Sequence, residues 1–253
     1  MSRKPRINTA GYHHVLNRGV AQTDVFLEAA DYDTFLNITC KACRAYKGII
    51  HDYCLMPNHY HLILETELDN LSLLMKQIDG NYAIYFNRKN KRTGHLWQGR
   101  FTSRYITTEE YLYTLIHYIE YNPVEAKLAE KVGEYAYTLY GSLLHGQKPV
   151  SCALDSILLK YAKHGWLQDL LGSTLSEKER LILKEIQKQK VVIVNDERRH
   201  AYQKKLSEHF SSVTNKAERN AAIVSALEDG YTQAEIAKHL GLSRAAICKI
   251  VKK

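Results

Sequence analysis

Met56-Pro57-Asn58-His59-Tyr60-His61-Leu62-Ile63-Leu64-Glu65 is the stretch from which the fold can be read. After Pro57 it has the length and branching of a strand, where side chains two residues apart share a face. His59 and His61 then point to one side, and Tyr60, Leu62 and Leu64 to the other. Two imidazoles side by side on a sheet are half of a divalent-metal site. Spacing alone favours the plainer reading of hydrogen-bonded sheet histidines; a tyrosine-bearing helix further on tips the balance toward a site.

Reading outward gives a strand at about 11–17, a helix at about 30–46, and strands at about 48–56 and 59–66. A helix at about 70–89 and a strand at about 101–106 follow. In the second helix Leu71, Leu74, Met75, Ile78, Tyr82 and Tyr85 form one apolar stripe. The order β-α-β-β-α-β is that of a ferredoxin-like (RRM-like) split βαβ unit, an α+β fold. Such a sheet carries its helices on one face, here that of Tyr60, Leu62 and Leu64. The histidine face is expected to stay open for a site.

The tyrosine helix is announced by Thr107-Thr108-Glu109-Glu110, a capping-box pattern with Thr107 as N-cap. Asn122-Pro123 is expected to end it, since the residue before a proline avoids the helical region. Between them Tyr111, Leu112, Leu115, Ile116 and Ile119 make one buried stripe. Tyr118 falls at its edge, and Asn122 lies one turn further along the same face. Alone, they read as a core-edge tyrosine and a C-terminal asparagine cap. Beside a histidine pair they read as a nucleophile and a third metal ligand.

The chain of 253 residues has room for one large domain or two modest ones. Its 35 basic and 27 acidic residues give a net charge of +8, which suits a polyanionic partner. No apolar run approaches a membrane span, and no apolar segment follows the basic start Met-Ser-Arg-Lys-Pro-Arg, so a soluble cytoplasmic, nucleoid-associated protein is expected. Five scattered cysteines argue against a disulfide framework. Cys40 and Cys43 recur with Tyr32, Phe35 and Leu36 at helical spacing and read as small buried hydrophobes.

The His59-Tyr60-His61 core resembles the HUH motif, a histidine, a hydrophobic residue and a histidine. Gly94-His95-Leu96-Trp97-Gln98-Gly99-Arg100-Phe101 and Tyr118-Ile119-Glu120-Tyr121-Asn122-Pro123-Val124 resemble patterns of the single-tyrosine HUH transposases. Tyr12-His13-His14-Val15-Leu16-Asn17-Arg18-Gly19 is similar to their first strand. Across roughly residues 10–145 the motifs stand in the order of one branch, the REP-associated tyrosine transposases. The resemblance implies metal-dependent cleavage of single-stranded hairpin DNA by Tyr118, leaving a 5′-phosphotyrosine and a free 3′-hydroxyl. It also implies a Mg²⁺ or Mn²⁺ ion held by His59, His61 and Asn122.

The chemistry explains those residue types. A phenol of pKa ~10 must lose or share its proton as it attacks. A divalent cation polarises the scissile phosphate. Imidazole with an amide oxygen suits Mn²⁺ and tolerates Mg²⁺, and no thiolate points to zinc. The phosphotyrosine bond conserves the phosphodiester energy, so rejoining needs no ATP, and no nucleotide-binding glycine loop is present. Glu65 shares the histidine face but lies about 13 Å beyond His61 at ~3.3 Å per residue, too far for the same ion.

Candidate DNA contacts are cationic. Arg3, Lys4 and Arg6 form a short basic arm, or a solvated tail. Arg88, Lys89, Lys91 and Arg92 lead into Trp97 and Arg100, and Arg18 ends the first-strand motif. Trp97 offers a face for base stacking, with core packing as its alternative.

Residues 1–145 thus form the HUH domain, 146–215 a helical connecting region without assigned chemistry, and 216–253 a further module. In Thr232–Val251, Gly241 falls at a turn between two short helices, with Ala237 four residues before it. Ile236, Leu240, Leu242, Ile247 and Ile250 take the buried positions of a helix-turn-helix. Ser243 would cap the second helix and present Arg244, Ala245 and Lys249 to duplex DNA; a helical hairpin for protein contacts is the alternative. The expected partners are hairpin and duplex DNA, with no membrane, for a monomer or homodimer. Rival functions are a domesticated regulator that seldom cuts, an RNA-binding protein, and a rolling-circle initiator. The last would use Tyr121, about 60° short of a full turn from Tyr118, as a second nucleophile.

Overall fold

The computed structural model describes residues 6–162, 166–194, 197–201, 205–211 and 213–251. Two compact units emerge, one of residues 8–183 and one built mainly from residue 184 onward.

The first unit is an α+β domain around a four-stranded sheet. Its strands are β1 (Gly11–Arg18), β2 (Gly48–Met56), β3 (His59–Thr66) and β4 (Thr102–Tyr105). They lie in the order β2-β3-β1-β4, and all neighbours are antiparallel. Helix α1 (Ala29–Tyr46) joins β1 to β2, and α2 (Leu71–Lys89) joins β3 to β4. Pro57 and Asn58 close the β2–β3 hairpin, so Met56 pairs with His59, Leu55 with Tyr60 and Cys54 with His61. A bulge at His51, between Ile50 and Asp52, shifts the register once.

One sheet face carries Tyr60, Leu62 and Leu64, all fully buried. Against it α1 lays Tyr32, Phe35 and Cys43, and α2 lays Leu71, Leu74, Met75, Ile78 and Tyr82. Phe35 meets the rings of Tyr60 at 4.9 Å and Tyr82 at 5.2 Å. Asp31, buried in the capping box that starts α1, takes the Tyr85 hydroxyl at 3.0 Å and the Lys89 ammonium from the end of α2.

The second face is not open as expected. Helix α3 (Glu109–Glu125) lies across it, burying Tyr111, Leu112, Leu115, Ile116 and Ile119. An apolar stripe that long has to be covered, and this face is where it is covered. The N-cap is Thr108 rather than Thr107, its hydroxyl accepting from the Tyr111 N–H at 3.2 Å. Pro123 does not end the helix. It sits buried in the last turn, where Ala126 N–H still reaches the Asn122 carbonyl at 2.9 Å. Burial of Asn122 and Pro123 outweighs the local preference that would stop the helix there.

Residues 146–183 also depart from the expected connector. After α4 (Leu139–Leu144), α5 (Ile157–Ala162) and α6 (Trp166–Leu171) pack on β2 and α3, and α7 (Glu177–Lys188) follows. Cys152 forms a disulfide with Cys40 on α1, with Cα atoms 4.9 Å apart. Cys40 is therefore not a free core thiol, whereas Cys43 is buried and unpaired. The partners are 112 residues apart, so no local spacing announces them. Ile157 N–H bonds His51 Nδ1 at 3.1 Å, and both ring nitrogens of His117 on α3 face oxygens, Glu179 Oε1 at 2.7 Å and the Ser173 carbonyl at 3.1 Å.

The second unit opens with a hairpin, β5 (Lys190–Val194) and β6 (Glu197–Ala201), where helices were expected. Helices α8 (Leu206–His209), α9 (Lys216–Glu228), α10 (Gln233–Leu240) and α11 (Arg244–Val251) follow. Ile223, Ala226, Ile236, Ala237 and Ile247 form their core, flanked by Leu240, Leu242 and Ile250. Gly241 ends α10 in the left-handed region at φ 63°, its N–H returning to the Ala237 carbonyl. Among the described residues no helix is long and apolar enough to cross a membrane.

Phe35 sits between both helices and the sheet with no exposed surface. Phe35→Ala should lower the unfolding free energy by about 3–5 kcal/mol in urea titrations followed by circular dichroism.

Candidate active site

The histidine face of the sheet and the inner face of α3 enclose one cluster of polar side chains. His59 and His61 on β3 are 9% and 6% exposed, so they lie beneath the helix rather than on an open surface. The His61 ring meets Tyr118 edge-on at 5.8 Å and His59 at 5.3 Å. Tyr121 instead turns its ring to His117 at 6.1 Å, on another side of α3.

Hydrogen bonds orient both imidazoles. His59 Nδ1 stands 2.5 Å from Asn58 Oδ1, an oxygen that only accepts, so the ring proton sits on Nδ1 and Nε2 keeps its lone pair. His61 Nδ1 stands 2.9 Å from Nε2 of His14 on β1. Asn122 donates from Nδ2 to the Tyr118 carbonyl at 2.9 Å, which leaves Oδ1 as its ligand-type atom. Two imidazole nitrogens and an amide oxygen fit a divalent cation of intermediate hardness. Among the described residues no three His, Cys, Asp or Glu side chains gather into a metal site.

The electrostatics suit ligation as well. Burial, then the Arg18 charge, pushes His59 down to about 4. Burial, then Arg104, pushes His14 down to about 3. His61 is held well below its ordinary value by burial and by its neighbours His14, His59 and Arg18. Neutral imidazoles keep the lone pairs a cation needs. Burial raises the Tyr118 phenol, while the Asn122 hydrogen bond and the Arg18 charge pull it toward phenolate.

Residues 8–122 match the family model described as "Transposase IS200 like". That segment, a little under half of the chain, is similar to the IS200-like transposases. A Haemophilus influenzae protein named as a REP-associated tyrosine transposase is 25% identical over 120 residues. The match covers 40% of this chain, and the chain spans 63% of that relative. The solved structure of a REP-associated tyrosine transposase bound to a REP hairpin resembles this one with a TM-score of 0.48 at 20% identity. That likeness covers 61% of this chain and 93% of the other.

The loops around this cluster are tied to it by backbone bonds. Gly19 N–H reaches the Asn58 carbonyl at 2.9 Å, and Val25 N–H reaches that of Pro57 at 2.7 Å. A Cβ on Gly19 would lie 2.2 Å from the Thr23 carbonyl oxygen, so only glycine permits this approach. Val20 N–H to the Leu96 carbonyl and Gln98 N–H to that of Arg18, each 2.9 Å, dock the Gly94–Phe101 segment beside Arg18.

The expected DNA contacts separate by environment. Arg18, Arg88, Lys91 and Arg100 are exposed, Arg92 lies over the Phe86 ring, and Arg6 is half-buried. Lys89 is committed elsewhere, its ammonium paired with Asp31 and Glu28. Trp97 is not a stacking platform. It is 9% exposed, meets Tyr60 edge-on at 5.5 Å and donates Nε1–H to the Asp79 carbonyl at 2.9 Å. Large apolar area and an indole partner supplied by α2 draw it into the core. Arg3 and Lys4 lie outside the described residues. In the second unit Arg244, Ala245 and Lys249 are exposed on α11, and Ser243 Oγ accepts from Ala246 N–H at 3.2 Å. Glu65, the rejected ligand, holds His51 at 2.8 Å.

Sequence reasoning missed His14 and a pair of carboxyls. Asp52 on β2 and Glu120 on α3 are both fully buried. Glu120 Oε1 accepts from Tyr140 N–H at 2.8 Å, and Asp52 Oδ1 from Tyr53 N–H at 2.8 Å. Their other oxygens meet without a further partner, so the two groups share a proton. Burial raises both, Glu120 to about 7.

Between pH 4.5, the ordinary glutamate value, and about 7, the folded state keeps a proton that the unfolded chain releases. Stability should therefore fall as pH rises through that window, by at most about 1.4 kcal/mol per pH unit from this group, and level off above it. Glu120→Gln keeps an acceptor for Tyr140 and gains a donor for Asp52. Thermal melts at pH 5 and pH 8 should show the variant gaining on wild type at the higher pH; equal shifts would refute the shared proton.

Proposed function

We infer that the protein nicks single-stranded hairpin DNA and transfers the strand through a 5′-phosphotyrosine, as a transposase acting at REP-like palindromes. The observation that carries this reading is the juxtaposition of Tyr118 with His61 and His59 beneath α3. The match of residues 8–122 to the IS200-like family model, a REP-associated relative and a net charge of +8 support it. The strand order β2-β3-β1-β4 with two linking helices agrees with a ferredoxin-like HUH domain.

In this mechanism Tyr118 Oη attacks the scissile phosphorus, its proton passes to solvent, and the 3′-oxygen of the upstream strand leaves and is protonated. The product holds the downstream 5′-phosphate on Tyr118. A second 3′-hydroxyl reverses the step and joins a new strand, so no nucleotide is consumed. Arg18, whose charge already favours the phenolate, would also hold the phosphate in this reading. His59 Nε2, His61 Nε2 and Asn122 Oδ1 are the atoms that would hold Mg²⁺ or Mn²⁺, which when bound polarises the phosphate and offsets its charge. Tyr121, turned to His117, takes no part, which favours one nucleophile over the paired tyrosines of a rolling-circle initiator.

The second unit adds a helix-turn-helix in this reading, with α10 and α11 about the Gly241 turn and Arg244, Ala245 and Lys249 directed to a major groove. It would place the nuclease near duplex DNA flanking the hairpin, consistent with a nucleoid-associated protein.

Labelled hairpin DNA from the sequence flanking the gene, with Mn²⁺ or Mg²⁺, should give a covalent protein–DNA band on a denaturing gel. Tyr118→Phe and His59→Ala should abolish it. Tight hairpin binding by wild type with no adduct across several hairpins would replace the transposase by a non-cutting regulator. Separately, Arg244→Ala and Lys249→Ala should weaken duplex binding without affecting the adduct. The slope of log K against log salt should become shallower by about 1 for each phosphate no longer neutralised.

A further inference from the structure

The two HUH histidines are held in the same way by different partners. His59 gives its Nδ1 proton to Asn58 Oδ1, an atom that can only accept. His61 Nδ1 faces His14 Nε2 at 2.9 Å, and that nitrogen can donate or accept. The bond between two neutral imidazoles contains one proton, and its location decides what His61 can do. With the proton on His61 Nδ1, Nε2 carries a lone pair. With the proton on His14 Nε2, His61 takes the other tautomer, its Nε2 is an N–H, and it cannot ligate.

The fold fixes this contact, and a ligating His61 Nε2 requires the proton on Nδ1, which makes His14 Nε2 the acceptor. His14 is 6% exposed, and its ring plane lies 18° from that of His61. On β4 its register partner is Arg104. The strands fix the pairing, because His14 pairs with Ile63 and Leu16 with His61, placing His14 diagonally across from His61 on the same face.

We propose that His14 is a positioning residue which accepts the His61 Nδ1 proton, locking the tautomer that presents Nε2 beside Tyr118. It rests on the assignment of His61 as a metal ligand made above, and gives that ligand the outer hydrogen-bond partner that metal-binding imidazoles require.

The test uses the full chain and Mn²⁺ alone as probe. His14→Phe keeps a ring without an acceptor, and His14→Gln keeps an acceptor without a ring. Wild type and His14→Gln should bind Mn²⁺ with similar affinity by electron paramagnetic resonance titration, while His14→Phe loses about 10–100-fold. Wild-type affinity in folded His14→Phe, or an equal loss in both variants, would overturn the proposal while leaving the metal site in place. If His14→Phe fails to fold, imidazole ¹⁵N spectra of wild type decide. A His61 Nδ1–H tautomer supports the proposal, and an Nε2–H tautomer overturns it. Absence of any Mn²⁺ binding by wild type would remove the metal-site reading itself, and this proposal with it.

Discussion

The antiparallel pairing of β1 with β3 is the constraint on which the rest of the site depends. In that register Arg18 stands opposite His59, Leu16 opposite His61 and His14 opposite Ile63. Because side chains alternate with a period of two, a slip of one residue would turn both histidines to the α1–α2 side and bring Tyr60 and Leu62 under α3. Two devices oppose the slip. The turn at Pro57 and Asn58 starts the β2–β3 pairing at Met56 and His59, and the Gly19–Phe26 segment bonds back to the Asn58 and Pro57 carbonyls.

Placing this register under a helix has an energetic consequence. Three imidazoles and two carboxyls leave water, and isolated buried polar groups each cost about 1–3 kcal/mol unless partnered. The structure answers with pairs: His59 with Asn58, His61 with His14, Asp52 with Glu120. Neutrality is the common result, since a proton is shared or withheld rather than a charge buried. On the other face the same sheet buries mainly large apolar and aromatic groups, and its polar members are partnered too: His13 with the Thr9 carbonyl at 2.9 Å, and Asn17 and the Tyr60 hydroxyl with Asp79 at 2.9 and 2.6 Å.

Periodicity makes much of this legible. The alternation at residues 59–65 and the stripes of α2 and α3 are local signals of burial, and they place the four strands and the first two helices to within a residue or two, while α3 runs three residues past its expected end at Asn122. The His pair, Tyr118 and Asn122 are visible for the same reason, each lying at a defined phase of a strand or helix. What stays hidden depends on pairing between distant segments. His14 joins His61 only once β1 is known to lie beside β3, and Asp52 reaches Glu120 only once α3 is known to cover β2. An open histidine face is the wrong expectation although the opposing signal is present, because the buried stripe of α3 has to lie against something. Trp97 and Lys89 mislead because composition reports charge and aromaticity but not the partner, here Asp79 and Asp31, that claims them. The Cys40–Cys152 disulfide and the β5–β6 hairpin have no local signature strong enough to outweigh a helical pattern.

The aim of Tyr118 is set by the rotation of α3 about its own axis, which three neighbouring residues define. Successive residues turn by about 100°, so His117, Tyr118 and Glu120 point in three different directions. His117 is held by Glu179 and the Ser173 carbonyl, and Glu120 by Asp52 and the Tyr140 N–H. With those two directions taken, Tyr118 has only the His61 side left. The polar groups flanking the tyrosine thus act as anchors of helix phase, although neither belongs to the proposed chemistry. An apolar stripe alone would permit the helix to roll by tens of degrees, because hydrophobic burial is not directional. Hydrogen bonds at His117 and Glu120 are directional, and they turn a packed helix into an aimed one.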